Sequence, residues 1–492
     1  MHGPFPRAGL ARGISDATLL MSPDATVRAQ ALRLMRSAGA SVVRIPVEWR
    51  YIVSPTPPAG FDASDPASPA YDFTAVDSAV RDAVAAGLTP MLVLTRAPAF
   101  AEAPGRWRYA YPGSWAPDPV AFGEFAGAVA KRYDGSFPDP LRAGSALPRV
   151  RLLQAWNEPN LARYLEPQWI AADGRWQAFS PLLYRQLLNA FYASVKAVAP
   201  EDVVIAAGIA PNGDPAGVGR MTPLRFLGEM LCLDVQLGRK APVRAVGRAR
   251  CADPPHFDVL AFHPLSFESP DRAAASSQDV SIADIAKVTA LLRRAERVGT
   301  ALPRARKSLW ITELNWESDP PIAHGVPGRL QALWISRALH RLWVAGVALA
   351  EWQFLVDPYP GVTLATSTGG TVRVPRPAGL YSPGPGGGLT GARAKPFLGG
   401  FSLPFDPLRT DRAHVRIWAM LARGGQRVAL QRWMRAPTRA GFAWRTIARL
   451  RCERHGMLNT TIVLRGAGEL RIAGAGDQIS VPVHVGRTRG VL

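Results

Sequence analysis

The sequence predicts an α/β chain in which a (β/α)8 TIM barrel precedes a smaller all-β sandwich. Three observations carry the prediction. Eight short, almost continuously apolar runs alternate with amphipathic segments across the first 355 residues, as strands buried on both faces should. No glycine-rich phosphate turn follows an early run, as a doubly wound open sheet would usually bring. From about residue 412 the texture changes to short alternating runs separated by turn residues, the pattern of a small antiparallel sandwich.

Each element has its own signal. "ARGISDA" (11–17) reads as a first short strand. "VRAQALRLMRSAG" (27–39) spaces apolar residues as a helix does and closes on Gly39. "SVVRIPV" (41–47) is the second strand, and "FTAVDSAVRDAVAAG" (73–87) a helix again closed by glycine. "PMLVLT" (90–95) and the helix "PVAFGEFAGAVAKRY" (119–133) make the third unit. "VRLLQAW" (150–156) is the fourth strand. Ser180 as N-cap and Pro181 at the first helical position open the helix 181–199. The strand "VVIAAGI" (203–209), helix 223–235, strand "FDVLAFH" (257–263) and helix 282–299 follow. "SLWIT" (308–312), helix 328–346 and "ALAEWQFL" (348–355) complete the eight. The stretch 357–396 is rich in Gly, Pro and Thr, has no helical period and reads as a long loop with room for short strands. We place the barrel at 1–405 and the sandwich at 406–492.

Composition bounds the function. The chain has 492 residues, 48% hydrophobic and 20% charged, ample for a large core. No stretch of 18 apolar residues occurs, so no membrane span is expected. The opening "MHGPFPRAGLARG" has no apolar signal region. We expect a secreted or cell-surface protein whose signal lies outside this sequence, or otherwise a cytoplasmic one. The formal charge is +20, but arginines run along the whole chain without a compact basic run of interleaved aromatics. No nucleic-acid partner is therefore expected, while an acidic polysaccharide or wall polymer stays open. Cys232 and Cys251 flank the basic segment "LDVQLGRKAPVRAVGRAR". A disulfide could staple it, implying an oxidising compartment and leaving Cys452 over, or both could be free buried thiols.

In an eight-fold barrel the site lies at the carboxyl ends of the strands. Strand four ends in Asn157-Glu158 within "LLQAWNEPNL", where apolar residues stop and Pro159 prevents extension. Strand seven runs into Glu313 within "SLWITELNWES". Strand two carries Arg44, strand six ends at His263, and strand eight carries Glu351 and Trp352. Two carboxylates thus reach one rim. Paired carboxylates suit glycosidic bond cleavage, one protonating the leaving oxygen and the other, ionised, attacking the anomeric carbon. No zinc, nucleotide or serine-hydrolase motif is present, and no metal or other cofactor is expected.

The "WNEPN" after strand four and "ITELNW" at the end of strand seven resemble clan A of the retaining glycoside hydrolases, closest to families 5 and 39. The resemblance spans about residues 8–405, and "KPFLGGFSLPF" (395–405) is similar to the segment closing those barrels. It implies a β-glycosidase of an oligo- or polysaccharide working by double displacement, with Glu158 as acid/base and Glu313 as nucleophile. It further implies that Asn157 bonds the sugar 2-hydroxyl, Arg44 holds Glu313 ionised, His263 lies beside both carboxylates, and Trp352 forms the floor under the sugar. One departure is that "FHPLSF" offers no tyrosine to touch the nucleophile.

Bland roles compete with each assignment. Glu158 could cap a strand end, Glu313 could be a structural ion-pair partner, and Arg44 in an apolar strand needs a carboxylate in any case. His263 could be a satisfied packing histidine and Trp352 core filler. Glu351 is left out of the site because strand alternation turns it away from Trp352. Trp49, Trp115 and Trp316 sit in rim loops, where they could stack sugars or pack the loops. Two rival functions remain: a catalytically silent carbohydrate-binding barrel, and a basic surface protein holding an anionic polymer. A monomer is expected.

Overall fold

A computed structural model describes residues 9–234, 244–245, 251–357, 362–365, 371–374, 376–436, 441–476 and 478–487. Most of the basic segment between Cys232 and Cys251, and ten residues of the loop at 357–396, lie outside the described residues. Eight parallel strands close a barrel: β1 (Ala11–Ser15), β2 (Val42–Glu48), β3 (Thr89–Thr95), β4 (Leu152–Ala155), β5 (Val203–Ile209), β6 (Val259–Phe262), β7 (Ser308–Leu314) and β8 (Val347–Gln353). Each pairs with the next in sequence, and β8 returns onto β1 with Gly13 opposite Glu351.

The barrel fills in two layers. Val42, Met91, Leu152, Ile205, Val259, Trp310 and Leu349 pack together inside its lower half. Above them the inward positions turn polar, with Arg44, Gln154, Thr312 and Glu351 all buried. The apolar layer supplies hydrophobic stabilisation, and the polar layer can persist only by mutual hydrogen bonding. That division sets where chemistry can occur.

Helices α1 (Ala25–Ser37), α2 (Thr74–Ala85), α3 (Pro119–Arg132), α4 (Ser180–Val198), α5 (Pro223–Met230), α6 (Ile285–Val298), α7 (Gly328–Val344) and α8 (Leu398–Ser402) accompany the strands. Their ends follow local rules. Asp118 caps α3, its carboxylate accepting the N–H groups of Val120 at 2.7 Å and Ala121 at 2.9 Å, with Pro119 in the first turn. Asp118→Ala is expected to lower stability by about 1 kcal/mol in urea denaturation; an unchanged midpoint and slope would remove the cap from the account.

Two expectations are corrected. Ser180 is the first residue of α4 rather than its cap, and its buried hydroxyl donates to Gln168 Oε1 at 3.1 Å. The fifth helix stops at Met230, five residues early, because Cys232 adopts φ 57° and bonds to Cys251 with Cα atoms 5.7 Å apart. A left-handed residue cannot continue a right-handed helix.

The C-terminal sheets are antiparallel. β9 (Phe405–Arg409), β10 (His414–Met420) and β13 (Met457–Val463) form one sheet. β11 (Arg427–Arg435), β12 (Phe442–Arg451), β14 (Gly468–Ala473) and β15 (Val483–Val485) form the other, in the order β12-β11-β14-β15. Their inner faces share a core of Phe405, Ile417, Leu430, Leu470 and Ile472, as a sandwich requires. The first sheet is fixed to the barrel. Trp418 stacks on His340 of α7 with centroids 4.7 Å apart, and Asp406 meets His340 Nδ1 at 2.6 Å and Arg337 at 3.1 Å.

Candidate active site

The cleft is built where β4 ends. In an extended strand Asn157 and Glu158 would point to opposite faces. Here Trp156 adopts φ 70° and Glu158 φ 40°. These left-handed residues cost about 1–3 kcal/mol each, and such strain concentrates at functional sites. They break the alternation, so both side chains enter the same cleft. The surroundings hold the turn in place. The Trp156 N–H donates to Leu94 O at 2.8 Å and the Glu158 N–H to Gly208 O at 2.9 Å. The Asn160 amide donates to Ala210 O and Met221 O, both at 3.0 Å, and accepts from Ala210 N at 2.9 Å.

Arg44 organises the next layer. Its guanidinium donates to Glu313 Oε1 at 2.8 Å, Asn157 Oδ1 at 2.6 Å and Gln154 Oε1 at 3.4 Å. One fixed cation therefore orients the nucleophile candidate and its amide neighbour together. His263, fully buried, bridges the two acids. Its Nδ1 lies 3.0 Å from Glu158 Oε1 and 3.8 Å from Glu313 Oε2, while Nε2 lies 2.9 Å from Thr312 Oγ1. Gly208 on β5 makes this ring position feasible, because a Cβ there would fall 1.9 Å from His263 Nε2.

The electrostatics follow. Burial alone would raise the Glu313 pKa, but the charges of His263 and Arg44 outweigh it and hold the carboxyl below its usual range. One oxygen each of Glu158 and Glu313, with a His263 nitrogen, lie within 4.8 Å of one another. Three such donors could in principle hold a cation. Arg44 already supplies positive charge at Glu313, and both His263 nitrogens are engaged, so the arrangement is complete as a hydrogen-bonded set. Both glutamates are 8% exposed and open on a cavity of about 340 Å³. That size falls in the range of small-molecule sites.

The structure sorts the remaining expectations. Arg44, Asn157, Glu158, His263 and Glu313 converge. Trp352 does not join them. It faces the outer layer, packing against Trp316, Phe397 and Phe401 and donating to Ala378 O at 2.8 Å. Alternation correctly opposes it to Glu351, but the inward side belongs to Glu351. The reason is space: Gly13 opposite has no side chain, and a Cβ there would meet Glu351 at 2.6 Å. Trp316 borders the cavity but is 1% exposed and holds its loop through an N–H donated to Glu268 O. Trp115 is half-buried and outside the cavity lining, and Trp49 is buried against Phe125 at 5.3 Å. None of the four presents a free ring to the cleft.

Other residues take their places. Gln353 and Phe354, beyond the expected tryptophan, line the cavity, and Asn315 donates to Gln353 Oε1 at 2.9 Å. Tyr164 lines it from the loop after β4. Burial, then the charge of Glu158, raises its phenol pKa. Arg376 also lines it, and its charge contributes to lowering the Glu313 pKa. Both come from loops, where no period or spacing marks them in advance.

No protein-family model and no curated protein sequence matches this chain. Solved structures do match. A family 39 glycoside hydrolase from the gut symbiont Bacteroides cellulosilyticus WH2 aligns over 93% of this chain and 82% of its own, at 16% identity and TM-score 0.51. A glucosidase from Croceicoccus marinus aligns over 93% and 94%, at 14% identity and TM-score 0.48. A family 39 enzyme from Xanthomonas axonopodis pv. citri aligns over 94% and 93%, at 14% identity and TM-score 0.47. The barrel expected from the sequence is therefore an architecture that this chain shares with a family 39 glycoside hydrolase.

Proposed function

We propose that the chain is a retaining glycoside hydrolase that cleaves β-glycosidic bonds of an oligo- or polysaccharide. The observation that carries the reading is that one carboxylate oxygen of Glu158 lies within 4.8 Å of one oxygen of Glu313 across one cleft. Carboxyl groups about 5–5.5 Å apart suit direct attack by one of them, whereas inversion needs about 6.5–9.5 Å to admit a water between them. A silent barrel gains no support from so close a pair.

In this reading Glu313, kept ionised beside Arg44, attacks the anomeric carbon. Glu158 gives its proton to the departing oxygen. It then takes a proton from water, which attacks the same carbon and releases Glu313. Asn157, held by Arg44 through its carbonyl oxygen, directs its amide at the sugar 2-hydroxyl. His263 keeps Glu158 in place. The Cys232–Cys251 bond favours action in an oxidising compartment, outside the cell.

The test is a panel of β-linked aryl glycosides and polysaccharides, followed by a mechanism-based covalent label of the matching sugar. Turnover with net retention, and one sugar per chain on the peptide containing Glu313, are expected. A label on Glu158, inverted product, or no turnover across the panel would each overturn the assignment.

A further inference from the structure

The sandwich holds a second feature that the barrel cleft does not use. Residues 406–492 contain sixteen arginines, no lysine and five acidic residues, more than half of the net charge of +20. The three-stranded sheet packs on the barrel through Trp418, Met420 and Met457. The other sheet turns its outer face to solvent: β11 sends Val428 and Leu430 into the core and leaves Trp433 exposed.

That outer face has a defined order. Trp433 stands opposite Trp444, and Arg435 opposite Phe442. Trp433 is 40% exposed and Phe442 60% exposed, with ring planes within 20° and centroids 6.3 Å apart. Trp444 backs them at 5.3 Å from Trp433. Arg471 covers Trp444 at 4.2 Å, and its Nε donates to Gln431 Oε1 at 2.8 Å. Further along the same face Arg427 opposes Arg451, and Arg449 lies beside them, all exposed. Two near-parallel apolar rings flanked by cations are unusual for a surface with no packing duty.

We propose that this face binds a carboxylated polysaccharide, with pyranose rings against Trp433 and Phe442 and the carboxylates on the neighbouring arginines. The apolar face of a pyranose suits an indole, and guanidinium pairs carboxylate in a planar fork. Charge complementarity selects a polyanion. The choice of a sugar polymer over another polyanion rests on the glycosidase reading of the barrel, since holding the polymer nearby raises its effective concentration at the cleft.

Retention of the full-length protein on immobilised polygalacturonate tests this without turnover. Salt-sensitive binding to polygalacturonate and none to neutral xylan are expected. The Trp433→Ala/Phe442→Ala pair keeps every charge and should bind about tenfold more weakly at an unchanged melting temperature. If that pair fails to fold, Phe442→Ala alone serves, at the more exposed position. Equal binding by folded variants, equal retention on xylan, or tighter binding of oligo(dT) through the same residues would overturn the proposal. These results do not depend on where a sugar label lands in the barrel, so either reading can fail alone.

Discussion

Glu313→Gln is expected to reduce hydrolysis of a matched β-aryl glycoside by roughly 10⁴-fold or more, with little change in circular dichroism or melting temperature. Glutamine keeps an oxygen for the Arg44 hydrogen bond but has no charge with which to attack carbon. Glu158→Gln should behave differently. Its loss removes proton donation, worth roughly 10²–10⁴-fold, and matters only where the leaving group needs the proton. With a dinitrophenyl leaving group the first step should run near the normal rate, and the glycosyl-enzyme should accumulate as an initial burst. With an unactivated disaccharide the same variant should be almost inactive. If both variants lose activity equally with both leaving groups, the roles given to the two acids are wrong.

Glu351→Gln is expected to stabilise the protein increasingly as pH rises. Glu351 is fully buried, and no described group hydrogen-bonds either carboxyl oxygen. Burial, reinforced by the nearby charge of Glu313 and opposed by Arg44, pushes its pKa from the usual 4.5 up to about 8. The folded state therefore holds this proton more tightly than the unfolded chain does. Its stabilising contribution is fully present below pH 4.5 and declines as pH climbs towards 8, by roughly 1 kcal/mol or more for each pH unit. An amide of the same shape does not ionise. Urea denaturation of both proteins at pH 5 and pH 8 should show the variant's advantage widening, on the order of several kcal/mol. A gap that stays constant between the two pH values would mean that Glu351 does not titrate there.

Much of this was legible beforehand. The alternation of apolar runs with helical spacing gave eight strands in their order, because both periods are properties of the local chain. The abrupt change at Asn157-Glu158 and the carboxylate ending strand seven marked the cleft. Arg44 was visible because a charge within an apolar strand demands a partner.

The misses have a common cause. Alternation says that Glu351 and Trp352 face opposite ways, but which of them faces inward depends on the vacancy left by Gly13, more than three hundred residues away on a paired strand. Alternation would also have separated Asn157 from Glu158, and the left-handed backbone at Trp156 and Glu158 reverses it. Trp352 reads as the floor under the sugar, and Trp316 equally as a sugar platform or as packing, since composition does not distinguish a buried indole from an exposed one. Tyr164 and Arg376 reach the cleft from loops, whose paths are set by contacts made after the strands assemble.

The sequence by itself determined the barrel and the order of its strands, and put two carboxylates at strand ends, because hydrophobic period and chain order are local and survive in one dimension. Only the tertiary structure decided which face of each strand meets the cleft, how closely Glu158 and Glu313 approach, and that Arg44 grips Glu313 together with Asn157 while His263 touches both acids. Those are matters of space and charge among distant segments: a missing side chain at Gly13 or Gly208 makes room, and a buried cation must find its carboxylate.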